Sequence, residues 1–386
     1  MMRSTVSTQP QIIIVVCCIT LRRSAYDTAG NIRSITKGGA VTKSFGYTNP
    51  SWPDLLTSVT ANGTTKDVLY EGQSQTSDLP SSGNPVTYYN GKDYTFTWTK
   101  GRQLASATVD GKQVSYTYDM SGVRSGKQVY TTSNQRTTTY TYTTLSGKVM
   151  RQQWETRNSD DTVYQAMQSL EFVYDDGNQP FAMIYKHGQT TELYYYVLNA
   201  QGDVIALLNS AGALVASYNY GAWGNYSVHD KDGKKTTDAT FIGHINPLRY
   251  RGYYYDRETR LYYLQSRYYD FANCRFINAD TFATTDANGF LSANMFAYCE
   301  NNPIMRTDET GNDWQSLAVK MAIGTLAIAI GVGVTAATGG AALPALVAGI
   351  KAACVAGAIS AGMSATSTAV RSASAGNDLS TVVNDS

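Results

Sequence analysis

The sequence predicts a mainly β protein: antiparallel repeat hairpins in a curved, spiralling sheet, followed by an Ala/Gly-rich α-helical hairpin. Three observations predict it. A Tyr-Asp-x-x-Gly unit recurs along the chain, the 386 residues hold 29 tyrosines against 10 phenylalanines and 5 tryptophans, and 15 of those tyrosines fall between residues 194 and 313 while none lies beyond. With 42% hydrophobic and 16% charged residues the composition is that of a folded protein. A formal net charge of +1 supplies no global attraction to nucleic acid or anionic lipid.

Residues 1–23 carry an apolar run, Ile12 to Leu21, then Arg22 and Arg23. Ten residues are too few to cross a bilayer, and neither the charge order nor a small-x-small site fits a secretory signal. A buried strand, or sequence foreign to the repeats beginning at Ser24, is expected there. Residues 24–193 read as repeat hairpins: YDTAGNIRSI from Tyr26, YTYDMSGVRSGKQV from Tyr116 and FVYDDGNQPFAMIY from Phe172 share one grammar. Alternating aromatic and β-branched residues suit pleated strands, while Asp-x-x-Gly supplies a side chain that closes a turn and a residue free to take positive φ. Residues 194–313 continue as a meander, with turns at Asn199 to Gly202 and Asn209 to Gly212. Tyrosine suits such a sheet because the ring fills cross-strand area while the hydroxyl stays hydrogen-bonded.

From Met321 to Ile350 there is no charged residue, and half of the stretch is Ala or Gly. Residues 314–371 therefore read as a helical hairpin broken at Thr338-Gly-Gly340, either a linker ahead of an effector or a membrane-associating element over 321–363. The linker reading is preferred because Lys351 divides the second run. Residues 372–386, small and polar, read as disordered. Five cysteines without a CxxC pair and three scattered histidines imply neither a disulfide framework nor a metal site. No cofactor is expected.

The YDxxG units resemble the YD-repeat proteins and their RHS-repeat-associated core domain. The same holds for NPLRYRGYYYDRETRLYYLQSRYYD from Asn246, RFINAD from Arg275 and NMFAYCENNPIMRTDETG from Asn294. The form is that of Gram-positive, wall-associated polymorphic toxins, and the resemblance covers residues 24–313, most closely 194–313. It implies a hollow β-shell that the core domain closes, encapsulating and presenting a C-terminal effector in interbacterial competition. The protein would be secreted or wall-associated. Its partners would be its own cargo segment, a cognate immunity protein, and cell wall or membrane during delivery, with no nucleic acid. The chain reads as the C-terminal piece of a larger protein whose effector is missing or truncated. It departs from the family where Arg260 and Cys274 replace glycine and where Gly221 replaces aspartate.

Asp286-Ala-Asn-Gly289 and Asp308-Glu-Thr-Gly311 form a spaced DxxG pair. Two carboxylates held close can divide the work of activating water and protonating a leaving amine. By resemblance to the self-cleaving motif of RHS shells, Asp286 and Asp308 would be that pair, Arg275 an orienting cation, and the cut would fall near Asn312 and Asp313. Alignment through RFINAD instead offers Asp280 as the first aspartate. The preferred reading is that both motifs are turns and the chain is not an enzyme, with aspartyl self-cleavage as the alternative. A third reading is a glycan-binding adhesin that uses stacked tyrosines. The arginines at 249, 251, 257, 260 and 267 are read as packing groups inside the shell.

Overall fold

The computed structural model describes residues 22–280, 294–312 and 315–316. The turn chemistry of the repeat sets its shape. In turns 27–30 and 119–122 the aspartate carbonyl accepts the glycine N–H at 3.1 and 3.2 Å, while its carboxylate accepts the N–H groups two and four residues on. Asn199 and Asn209 do the same through their amide oxygens. Gly122, at φ 86°, takes the left-handed conformation that closes such a turn. Just before several of these turns the strand pairing slips by one residue, at Ala25/Tyr26, Thr117/Tyr118, Val173/Tyr174 and Val197/Leu198. Each slip is a bulge that bends and twists the strands, so the repeat builds a curling sheet.

Five strands, from Arg22–Tyr26 to Thr64–Asp67, form a first antiparallel sheet in chain order. Fourteen more, from Leu69–Tyr70 to Tyr226–Asp230, form a second, also in chain order. Together they make an open curved wall, as the sequence predicts. The boundary read at 193/194 falls inside the strand Thr190–Leu198, and the wall runs through it. The chain then turns inward into four strands, Tyr254–Asp256, Leu261–Leu264, Arg267–Asp270 and Arg275–Phe276, in which every residue is buried. This plug fills the concave side of the wall. Its side chains reach wall residues from Tyr47, bonded to Arg275, through Tyr88, bonded to Asp270, to Tyr226, packed on Tyr255.

The tyrosine excess is thereby explained. Strands such as Asp93–Thr99 and Lys112–Tyr118 alternate, with Tyr94, Phe96, Val114 and Tyr116 turned to the plug. Tyrosine hydroxyls then cap carbonyls across the junction: Tyr94 on Thr259 at 3.0 Å, Tyr262 on Gly224 at 3.0 Å, and Tyr269 on Trp223 at 2.9 Å. Phenylalanine would leave those carbonyls unsatisfied.

Gln315–Ser316 pairs as a strand with Arg306–Thr307. These two residues lie within the stretch 314–371 read as a helical hairpin. The rest of that helical hairpin, the N-terminal apolar run and the final tail lie outside the described residues.

Arg260 and Cys274, which stand where the family favours glycine, are held at φ 59° and 61°. The backbone shape survives and the side chain is strained within it. Arg260 is exposed and pairs with Asp110 at the surface, a contact worth little. Arg260→Gly is expected to raise stability by about 0.5–1 kcal/mol, the relief of left-handed strain less the added freedom of the unfolded glycine. A higher urea midpoint checks it.

Candidate functional site

The structure brings together two carboxylates, and one arginine holds them. Arg267 opens the buried strand Arg267–Asp270 directly after a tight turn in which Gln265 has φ 60°. Its Nη2 lies 2.7 Å from Asp280 Oδ2 and 3.5 Å from Asp308 Oδ2. Nη1 donates to the Met295 carbonyl at 3.1 Å, Nε donates to the Gly311 carbonyl, and the guanidinium lies 3.7 Å above the Phe276 ring. Asp280 is fixed by its own N–H, bonded to the Met295 carbonyl at 3.0 Å. Asp308 comes just after the strand Arg306–Thr307, and its N–H donates to the Tyr253 hydroxyl, which also meets the Tyr298 and Thr307 hydroxyls.

Asp308 has two roles. Its Oδ1 accepts the Gly311 N–H at 2.7 Å, closing the turn over residues 308–311. Its other oxygen faces Arg267. Burial pushes the Asp308 carboxyl up to about 6, against the opposing pull of Arg267 and the Gly311 N–H, and the Asp280 charge adds to the rise. Burial likewise draws Arg267 down to about 10, while both carboxylates hold it up. Cys299 lies close by, and burial together with Asp308 raises its thiol, which keeps it neutral and a poor nucleophile.

Of the residues singled out from sequence, Asp280, Asp308 and Asn312 meet at this site, with Asn312 directly after Gly311. Asp286 and Asp313 lie outside the described residues. Arg275 sits elsewhere: its guanidinium donates to the Tyr47 hydroxyl at 2.9 Å and the Asp54 carbonyl at 3.1 Å, and stacks 4.5 Å from the Phe296 centroid. The cation between the carboxylates is Arg267, which sequence reasoning took as a packing group. A signal was present, because an arginine opening a tyrosine-rich strand requires buried acceptors. Arg249 and Arg251 are packing groups, buried against tyrosine rings, whereas Arg257 and Arg260 are exposed. Among the described residues no group of three or more His, Cys, Asp or Glu could hold a metal ion.

A second charged cluster ties wall to plug. Arg124 and Lys127, from the wall strand Arg124–Thr131, meet Asp256 and Glu258 of the plug, with Lys127 at 3.0 and 2.6 Å from the two carboxylates. Rings of Tyr116, Tyr142, Tyr254 and Tyr263 surround the Arg124 guanidinium at 4.2 to 5.3 Å. Burial opposes the charge on Glu258, but Lys127 and Arg257 hold its carboxyl down at about 2.

No family model matches the chain. It is 34% identical over 229 residues to the tRNA3(Ser)-specific nuclease WapA of Bacillus spizizenii and to the tRNA nuclease WapA of Bacillus subtilis strain 168. Each match covers 58% of this chain and 9% of the relative, so the chain spans under a tenth of those proteins. In fold it is similar to the crystal structure of TcdB2-TccC3 without its hypervariable C-terminal region, with TM-score 0.51, 18% identity, and coverage of 75% of this chain and 15% of that one. The Photorhabdus luminescens Tc holotoxin pore aligns with TM-score 0.50 and 19% identity over 77% of this chain and 17% of the other. The likeness is one of fold, to the TcdB2-TccC3 chain and to the holotoxin pore.

Proposed function

We propose that this chain forms and closes the end of an RHS-type β-shell, holding the point where the polypeptide leaves and presenting the segment downstream of it. The filled face of the wall supports this reading, since the plug braces the wall from Tyr47 to Tyr226 while the segment after Thr307 folds back to pair Gln315–Ser316 with Arg306–Thr307. In this reading the partners are the chain's own C-terminal segment and a cognate immunity protein, and the setting is a secreted or wall-associated competition toxin. The nuclease activity named for the relatives is assigned to no residue described above.

One observation favours a second activity at the same place, self-cleavage. A single guanidinium touches both carboxylates and the Gly311 carbonyl. In the proposed step Asp280 takes a proton from water, whose oxygen adds to the Gly311 carbonyl carbon. Arg267 Nε–H steadies the charge on the carbonyl oxygen, and Asp308 delivers a proton to the Asn312 nitrogen as the C–N bond breaks. The bond is thus one residue upstream of the position read from sequence. Intact-mass analysis of the full chain held between pH 5 and 7 should reveal a fragment ending at Gly311. Asp280→Asn and Asp308→Asn should abolish it, and Asp286→Asn should leave it. Loss of cleavage in Asp286→Asn but not in Asp280→Asn would overturn the assignment, and an uncut chain at every pH would leave shell closure alone.

A further inference from the structure

The outer face of the wall changes chemistry along its length. Over the first part, one row of directly paired outward residues reads Thr97, Ser106, Ser115, Gln128, Thr139, Glu155. All are polar, exposed or half-buried, as a solvated face requires. Over the later strands the corresponding row reads Val173, Ala182, Tyr195, Leu208, Leu214, each again the direct partner of the next. Beside it lie the pairs Ile184 with Leu193 and Val197 with Ala206.

Ala182, Ile184 and Leu193 are buried as a cluster separate from the core against the plug, with Val173 and Tyr195 packed on it. Phe181, set edge-on to Tyr195, is 37% exposed, and Leu214 is 41% exposed. The Tyr195 hydroxyl is shielded from solvent and has no hydrogen-bond partner among the described residues. Strands that are apolar on both faces call for a covering layer on each. The plug supplies only one.

We propose that the covering layer is the chain's own charge-free segment, residues 321–350. Its chemistry matches, since it carries no charge and half its residues are Ala or Gly, small enough for close approach to a sheet face. Its origin also matches. Ser316 pairs with Arg306, and nearby Ile304 accepts a bond from Gln201 Nε2 at 2.9 Å in the turn joining strands Thr190–Leu198 and Val204–Asn209. The chain therefore emerges at the rim of the apolar strands. Residues 317–320 span up to about 13 Å when extended, enough to pass from that rim onto a face about 10 Å away. Ile304 and Met305, each 57% exposed, extend the apolar surface around the same rim. Lodged there, the segment keeps its apolar surface from water until it is released.

Photo-crosslinking in the full chain tests this. A benzoylphenylalanine replacing Tyr195 should, on irradiation, give an intramolecular adduct that maps to residues 321–350 in the uncleaved chain. The same probe replacing Thr139, on the polar part of the outer face, should give none. If the variant at 195 does not fold, the probe replaces the exposed Phe181 with the same expectation. Adducts joining two chains would assign the face to self-association, and adducts to lipid alone in phosphatidylcholine/phosphatidylglycerol vesicles would assign the segment to a membrane. Either result, or the absence of adducts to 321–350 from both positions, overturns the proposal.

Discussion

Arg124→Met is expected to cost about 3–5 kcal/mol, the range for removing one member of a buried charged cluster. Arg124 is 1% exposed, and its guanidinium is enclosed by four tyrosine rings and the Asp256 carboxylate. Without it, Asp256 is left with Lys127, which it shares with Glu258. The loss comes from desolvated charge left short of a partner, so the cost should shrink when Asp256 is neutralised too. In Arg124→Met/Asp256→Asn the Lys127 and Glu258 pair at 2.6 Å stays intact and neutral. The double variant should therefore lose clearly less than the sum of the two single losses, with a coupling of about 1–3 kcal/mol. Urea unfolding of the four proteins at pH 7 measures it, and strict additivity would show that the tyrosine cage, not the ion pair, holds Arg124. The Glu258 contribution has its own pH window. Its carboxyl is lowered from 4.5 to about 2, so the stabilisation is complete above pH 4.5 and disappears as the pH falls through about 2.

That junction also marks where sequence stops being informative. The turn grammar was legible because it is local: Asp119 reaches the N–H groups of Ser121 and Val123 and the Ser121 hydroxyl, and any chain with Asp-x-x-Gly between alternating strands can make the same backbone bonds. The inward turn after Tyr226 was not, because it depends on pairings such as Arg124 with Asp256 and Tyr88 with Asp270, more than a hundred residues apart. Nothing in the strand LYYL or RYYD distinguishes a further turn of wall from a buried plug except burial on both faces. The stretch PFAMIY carried a related signal, a continuous apolar run where a half-solvated strand should alternate. At the candidate site Asp308 and Asp280 were legible from their motifs. Arg267 was hidden among five arginines interleaved with tyrosine, and only the fold separates it from Arg275, whose donors are taken by Tyr47 and Asp54.

Asp308→Asn is expected to stabilise the protein at pH 7 to 8 while abolishing any self-cleavage. The carboxyl is raised from 3.8 to about 6 by burial. A raised carboxyl binds its proton more tightly in the folded than in the unfolded chain, so stability associated with it is full below pH 3.8 and declines as the pH climbs through about 6. Two pKa units correspond to roughly 3 kcal/mol of strain in the ionised folded form. Asparagine keeps the oxygen that accepts the Gly311 N–H and removes the charge, while Arg267 retains Asp280 at 2.7 Å. The gain should be about 2–3 kcal/mol above pH 7 and vanish near pH 4. Urea midpoints of wild type and variant across pH 4 to 8 give the curve. A purely structural turn aspartate would show the opposite sign, with the variant weaker at neutral pH because a useful charge was lost. A gain in the variant would fit the proton-donating role proposed for Asp308, in which a carboxylate beside Arg267 and near the Gly311 carbonyl is held at the expense of the fold.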